Sequence, residues 1–251
     1  MSELQTLFDF GYEQYLPHLS VDCVIFGFHD NELKVLLLNS WYTSEKVLPG
    51  GFVGRKESLH EAATRVLTER TGLNNVFLSQ FEVFGDPLRE RNKFSGDVLL
   101  QKGIDASGSW LMDRFVSIGY YALVEYSKVH PQPDAESTCS WWPVNDLPPM
   151  YIDHATIVQK ALEKLRQSLH FQPIGLNLLP KKFTMPQLHR MYETLFGMPL
   201  DRRNFQRKIM ATGIIQQLPE KVKGVAYKAP NLYQFKIRQY QKALQAGLFL
   251  L

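Results

Sequence analysis

The sequence predicts two domains, an α/β domain followed by a smaller α+β domain, and three observations carry that prediction. Strand-type apolar runs alternate with a helical period as far as Leu169, a stretch with two prolines follows, and the charge then changes sign. Residues 181–251 hold 13 Lys or Arg against 3 Asp or Glu, whereas the first 180 residues hold 15 against 22. The C-terminal segment is therefore +10 and the rest −7, inside a chain whose net charge is only +3. Such an asymmetry points to a basic module with a polyanionic partner, most simply nucleic acid.

With 251 residues, 45% hydrophobic and 21% charged, the composition is that of a globular chain and not of a disordered or fibrous one. No run approaches the roughly 20 apolar residues that span a bilayer. The opening MSELQTLFDFGYEQYL places two acids among its first ten residues, where an export signal has a basic start. The two cysteines, Cys23 and Cys139, fall in the apolar runs VDCVIFGF and STCSWWPV, which suits reduced, buried thiols better than a disulfide framework or a metal site. These features together predict a soluble cytoplasmic protein.

In chain order, Val21–Phe28, the turn His29-Asp30-Asn31 and Leu33–Leu38 read as a hairpin. Trp41–Gly51 ends in Leu-Pro-Gly-Gly. The segment Glu57–Arg70 places Leu59, Ala62, Ala63, Val66 and Leu67 at the i, i+3, i+4, i+7, i+8 spacing of an amphipathic helix, which Gly72 stops. Strand-like runs recur at Val76–Phe84, Arg114–Tyr126 and Ser137–Val144, of which the last is expected to turn only one of Trp141 and Trp142 inward. A polar stretch between Asp86 and Asp113 reads as a long loop or insertion, and Asp153–Leu169 as a helix. The first domain then occupies residues 1–170, the linker 171–180 and the second domain 181–251.

Thr184 can cap a helix carrying Leu188, Met191, Tyr192, Leu195 and Phe196 on one face, with Gly197 as its stop. Across the turn Met198-Pro199-Leu200, Asp201 caps a second helix that ends at Gly213. Ile214–Leu218, a turn at Glu220–Gly224 and Val225–Phe235 follow as a hairpin. Helix, turn, helix, hairpin is the order of a winged helix-turn-helix. On a helical wheel Phe205, Ile209 and Thr212 share the docking side, and Arg203, Gln206 and Arg207 lie opposite, flanked by Arg202, Asn204 and Lys208. Arg and Gln forks match guanine and adenine edges in the major groove. Lys181, Lys182, Lys221, Lys223 and Lys228 are placed to meet phosphates. RNA recognition is less well served, since apart from Tyr227 and Tyr233, which are expected to pack in the hairpin, the segment has no paired exposed aromatics on strands.

Gly51, Glu57, Arg65, Leu67, Glu69, Gly72 and Leu73 stand at the spacing G-x5-E-x7-R-E-U-x-E-E-x-G-U, with U aliphatic. On these positions the segment from about Val21 to Leu169 resembles a Nudix domain, which implies an α/β/α sandwich around a mixed sheet. In active members the three glutamates of R-E-U-x-E-E gather divalent cations against a diphosphate. Here Val66 and Arg70 stand in two of those places and only Glu69 remains, so no metal or cofactor is expected: a lone carboxylate beside a guanidinium is a poor Mg²⁺ site. Together with LLPKKFTMPQLHRMYETLFGMPLDRRNFQRKIMATG, LYQF, LPGGFVG, FGDPLRE and DLPPMYIDH, nearly the full chain is similar to the NrtR-type transcription regulators, the stretch from Arg89 to Asp113 being the departure. That resemblance implies a homodimeric repressor or activator on an operator, whose Nudix domain senses a metabolite, ADP-ribose in some members and a sugar such as L-arabinose in others.

For the effector pocket, Arg89 and Arg114 are candidate donors, Asp86 an acceptor, and Phe84, Tyr120 and Trp41 walls, although each aromatic also suits plain core packing. His154 reads as a helix-capping partner, because no second His or Cys stands near it at ligand spacing. No G-x-S-x-G elbow signals a serine nucleophile. The leading reading is a ligand-controlled DNA-binding regulator. A Mg²⁺-dependent hydrolase of a nucleoside diphosphate derivative such as ADP-ribose, and a silent protein-binding module, are the alternatives.

Overall fold

The apolar run VDCVIFG lies within β1 (Tyr15–His29), where every residue from Val21 to Gly27 is buried, so this strand is covered on both faces. It turns through Asp30 and Asn31, whose φ angles of 51° and 62° are left-handed, into β2 (Glu32–Ser40). Asp and Asn tolerate that region, and two such residues make the tight turn that suits the twist of a hairpin. The computed structural model describes residues 3–74, 76–92, 99, 101–104, 106, 108–129, 137–176, 178–222 and 229–247. Five further strands complete the sheet: β3 (Thr43–Val47), β4 (Gly50–Gly54), β5 (Phe77–Phe84), β6 (Val116–Val124) and β7 (Ser137–Pro143). Their order is β3-β2-β1-β6-β5, with β4 on β1 and β7 on β2. In the register of β1 with β4, Asp22 stands opposite Gly50 and Val21 opposite Gly51.

Both helices read from the sequence of this domain are present. The helix read over 57–70 is α2 (Leu59–Thr71), and it opens on a reciprocal cap between Ser58 and Glu61. Gly72 closes it at φ 70°, donating its N–H to the Thr68 carbonyl. The helix read over 153–169 is α3 (His154–Leu169), whose Ile157, Ala161 and Leu165 are fully buried.

Three expectations need correction. The N-terminus forms α1 (Glu3–Gln14), which the reading of that segment as merely acidic missed. The stretch from Asp86 to Asp113 is more than a loop: it carries 3-10 turns at Pro87–Asn92 and Trp110–Met112, and its Leu99, Ile104, Trp110 and Leu111 form a buried cluster with Phe8 of α1. Trp110 donates from Nε1 to the Leu7 carbonyl at 3.1 Å, and its ring passes so close to Gly11 that a Cβ there would sit 2.8 Å from Cζ2. Apolar residues scattered among polar ones hid this cluster, since its pairing is tertiary and not periodic. Finally, Trp141 and Trp142 are both half-buried in β7, which pairs with β2, Leu36 standing opposite Trp141 and Val35 opposite Trp142. Cys139 is likewise half-buried, while Cys23 is buried with its thiol near the Ala63 carbonyl.

The C-terminal elements are α4 (Met185–Phe196), α5 (Arg202–Ala211), a sheet of order β8-β10-β9 from β8 (Phe183–Thr184), β9 (Ile215–Lys221) and β10 (Asn231–Phe235), and α6 (Ile237–Ala246). Thr184 and Gln187 form a reciprocal cap on α4, Gly197 ends it at φ 71°, and Asp201 caps α5 through the Asn204 N–H. Phe183, Leu188, Tyr192, Phe205, Ile209 and Ile215 make its core. Neither β8 nor α6 is anticipated by the sequence pattern, though Tyr240 and Ala243 of α6 are buried. Tyr233 packs inside the hairpin as expected, whereas Tyr227 lies outside the described residues.

The chain divides into two compact units, one of Met1–Phe26, Lys34–Ala122 and Lys128–Ala161, the other of Gly27–Leu33, Leu123–Ser127 and Leu162–Leu251. No helix among the described residues is long and apolar enough to cross a membrane.

Candidate functional site

The box letters fasten the loop after β4 to α2. Glu57 accepts hydrogen bonds from the Gly54 N–H at 2.7 Å and from Arg65, Nη2 at 2.7 Å and Nε at 3.2 Å. Arg65 Nη2 also donates to the Phe52 carbonyl at 2.9 Å, and its Nη1 stands 3.6 Å from Glu69. The hydrogen bonds from Arg65, then that from Gly54, hold the Glu57 carboxyl below the usual range. Glu61 is engaged in the helix cap, bonding the N–H and hydroxyl of Ser58. Val66 is buried against Gly51, where a Cβ would meet its Cγ2 at 2.9 Å. Among the described residues no three His, Cys, Asp or Glu side chains gather as a cation site. Glu57 and Glu69 both face Arg65, so this donor set does not fit a hard divalent ion, which needs several anionic oxygens.

Beside the box, a cavity of about 340 Å³ opens in the same unit. Its buried acid is Asp22 of β1, whose Oδ2 accepts from Ser117 Oγ at 2.5 Å and stands 3.5 Å from Arg89 Nη2. Arg89 donates from Nη1 to the Phe84 carbonyl at 2.8 Å, and its Nε approaches Asp153 Oδ2 at 2.7 Å. Arg89 Nε and Asp153 Oδ1 are buried, and neither has a hydrogen-bond partner among the described residues. Arg70, at the end of α2, and Arg114, before β6, also line the cavity. Trp41, Tyr42, Phe52, Phe115 and Tyr151 supply aromatic surface. Burial above all pushes the Tyr42 hydroxyl up to about 12. His154 accepts the Leu48 N–H on Nδ1 at 2.9 Å, and burial lowers its pKa, so the ring is neutral with its proton on Nε2. It ties α3 to the residue after β3 and does not cap the helix through its side chain. Ile152, between these residues, has φ 50°, a left-handed angle that strains a β-branched residue.

A second cleft, about 510 Å³, shares Arg89 and Ile152 with the first and adds Phe84, Asp86, Leu88 and Asp153. The six pocket residues named from sequence therefore separate. Arg89, Arg114 and Trp41 line the cavity, and Phe84 and Asp86 line the second cleft. Tyr120 borders neither: it is buried in β6 with its hydroxyl donating to Gln80 Oε1 at 3.2 Å. Sequence reasoning missed Asp22, Arg70 and His154 as cavity residues. An acid inside an otherwise apolar strand was the available signal for Asp22.

In the C-terminal unit α5 buries Phe205 and Ile209 and exposes Arg202, Arg203, Gln206 and Arg207. Asn204 and Lys208 are half-buried, and Asn204 Oδ1 accepts from Arg207 Nη2 at 2.8 Å, which orients that guanidinium along the exposed face. Thr212 is half-buried and caps the helix end through the Ile209 carbonyl. Lys181 and Lys221 are exposed. Lys182 is exposed too but bridges to Glu220 of β9 at 2.6 Å. Lys223 and Lys228 lie outside the described residues. The turn from α4 to α5 is pinned by Glu193, which accepts the Leu200 N–H at 3.1 Å, and by His189, whose Nε2 is 2.9 Å from the Leu200 carbonyl.

Residues 16–161 match the NUDIX domain family, and residues 175–235 match the NrtR DNA-binding winged helix domain. The ADPR responsive transcriptional repressor NtrR of Acinetobacter baylyi is 25% identical over 232 residues, covering 89% of this chain and 84% of the relative. The crystal structure of Shewanella oneidensis NrtR superposes with a TM-score of 0.69 at 28% identity, over 88% of this chain and 95% of that one. The structure of the same Shewanella oneidensis protein complexed with a 27mer DNA gives a TM-score of 0.70 at 28% identity, over 89% and 95%. The chain thus belongs to the NUDIX domain family, and it joins that domain to a C-terminal winged helix domain of the NrtR DNA-binding kind.

Proposed function

We propose that this protein is a cytoplasmic, DNA-binding transcriptional repressor whose NUDIX domain senses ADP-ribose and does not hydrolyse it. One observation carries the reading: Arg70, Arg89 and Arg114 line an aromatic cavity whose one acid among the described residues is Asp22, on the same chain as an exposed basic helix. A phosphorylated nucleotide sugar offers negative charge to those arginines and a planar base to the aromatic walls, whereas a neutral sugar such as L-arabinose offers them no charge. The name of the Acinetobacter baylyi relative, an ADPR responsive transcriptional repressor, supports the effector, and the Shewanella oneidensis NrtR structure with a 27mer DNA supports the partner.

In this reading residues 1–170 sense, 171–180 link and 181–251 bind DNA. Arg203, Gln206 and Arg207 contact base edges, with Arg202, Asn204 and Lys208 beside them. Lys181, Lys182, Lys223 and Lys228 meet phosphates. A homodimer spans a palindromic operator, and ADP-ribose acts by binding one of two dimer geometries more tightly than the other. Titration of the protein onto its own upstream DNA in a gel-shift assay tests this. ADP-ribose is expected to move the midpoint by about tenfold or more, within the usual span of allosteric coupling. L-Arabinose acting where ADP-ribose does not would overturn the effector, and steady release of AMP from ADP-ribose with Mg²⁺ would overturn the loss of catalysis.

A further inference from the structure

We propose that Arg166 and Asn31 position the basic helix α5 from outside the winged helix, and that α3, which carries Arg166, ties that position to the Arg89–Asp153 pair at its other end. The inference deepens the reading above and rests on it for one thing, that α5 meets the operator. The direction of α5 is set in residues 193–200, where Gly197 ends α4 and where Glu193 and His189 pin Leu200. Two further bonds come to that turn from much earlier in the chain. Arg166 Nε donates to the Leu195 carbonyl at 3.1 Å, and Thr194 Oγ1 donates to the Asn31 carbonyl at 3.1 Å. Both bonds lie within the second compact unit, which takes in the β1–β2 turn and the end of α3 along with the winged helix.

These bonds are extra to the winged helix fold. Asn31 and Arg166 stand outside residues 175–235, which match that domain, and its buried core includes neither. The Leu195 carbonyl is one of the four at the end of α4 that a helix cannot satisfy from within, and a guanidinium there also meets the negative end of the helix dipole. Gly197 makes room for it, since a Cβ at that position would stand 2.6 Å from Arg166 Nη2. The Asn31 carbonyl is aimed by the left-handed pair Asp30 and Asn31, and the preceding His29 stacks on Tyr126 with ring centroids 4.1 Å apart. At its other end α3 follows Asp153, which faces Arg89 at 2.7 Å, and opens on His154, which accepts the Leu48 N–H. Arg89 Nε and Asp153 Oδ1 are buried without hydrogen-bond partners among the described residues, and Asp22 offers Arg89 a second carboxylate at 3.5 Å, so this pair has another arrangement within reach. From His154 to Arg166 the helix runs about 18 Å, at about 1.5 Å per residue. Ile157, Ala161 and Leu165 are fully buried along that length. A change at Asp153 therefore reaches the end of α4, and the turn that aims α5, along one hydrogen-bonded element.

Gel-shift titration of the full chain on its own upstream DNA, with no effector present, tests this. Arg166→Met keeps the stem and removes the donor, and operator binding is expected to weaken by about 3- to 30-fold, the span of residues that act on a site through others. Arg166→Lys keeps a charge that can cap the carbonyl and is expected to regain part of the loss. Thr194→Val removes the second bond at nearly constant shape, with a loss of about 2- to 10-fold, and it reads the same turn where Arg166→Met does not fold. A double-mutant cycle separates a local cap from a link along α3. Asp153→Asn is expected to change operator affinity in the parent and not in the Arg166→Met background, a coupling of at least about threefold. Operator binding equal to the parent in both Arg166→Met and Thr194→Val overturns the positioning role, and additive effects of Asp153→Asn and Arg166→Met overturn the link through α3. Failure of the parent to bind any duplex overturns the repressor reading and this inference together.

Discussion

The box helix α2 and the basic helix α5 are built alike and set in different surroundings. Each begins on a side-chain cap, Ser58 in one and Asp201 in the other, and each carries arginines on its polar side. In α2 Arg65 is drawn inward to Glu57, Glu69 and the Phe52 carbonyl, and Arg70 turns to a cavity. In α5 Arg202, Arg203 and Arg207 stand in solvent, and Arg207 is steadied by Asn204 from the same face. A guanidinium fixed among carboxylates acts as architecture, one that lines a cavity is within reach of whatever enters it, and a row in solvent suits a polymer of phosphates. Residue type alone does not distinguish these roles; the partners within reach do.

Substitutions can break or sharpen that division. Phe205→Ala removes the ring that seats α5 against Tyr192 and His189, at centroid distances of 5.3 and 5.1 Å. A loss of about 3–5 kcal/mol is expected for a buried aromatic of this size. Urea unfolding followed by hydrogen exchange of the α5 amides reads it; a loss under about 1 kcal/mol means that α5 is not held by this core. Second in size is Arg203→Ala combined with Arg207→Ala. Each base-reading fork is worth about 1–3 kcal/mol, so removing both predicts an operator complex at least about 30-fold weaker by gel shift, at an unchanged melting temperature. Equal affinity would remove α5 from the interface.

The smallest expected effect belongs to Glu57. Its folded pKa lies below the unfolded value near 4.3. Its contribution is therefore present above that value and lost as pH falls through the folded pKa. Glu57→Gln should melt earlier than the parent at pH 7, with the gap narrowing below about pH 4. A gap independent of pH would mean that packing, not the charge shared with Arg65, gives Glu57 its value.

Local signals were the most legible part of the fold. The Ser58–Glu61 and Thr184–Gln187 caps, the stops at Gly72 and Gly197 and the Asp30-Asn31 turn lie within a few residues of their partners, so the sequence displays both halves together. The spacing of α1 was also displayed, since Leu4, Leu7, Phe8 and Gly11 stand at helical intervals, yet the face they make packs against Trp110, about a hundred positions away. The cavity was less legible still. Asp22, Arg89 and Asp153 meet across segments separated by more than sixty residues, and only the sheet order brings β1, β5 and α3 to one place. The basic face of α5 needed no such assembly, because one helix carries it whole.

The Arg65 junction bears on how genomes are read. Gly51 makes room for Val66, Glu57 ties Gly54 to Arg65, and Gly72 lets the chain leave the helix. Every one of these letters is occupied with joinery. A score that counts them measures how firmly a loop is fastened to a helix, and a survey that ranks hydrolases by such a score will collect chains of this build whatever stands at positions 66 and 70.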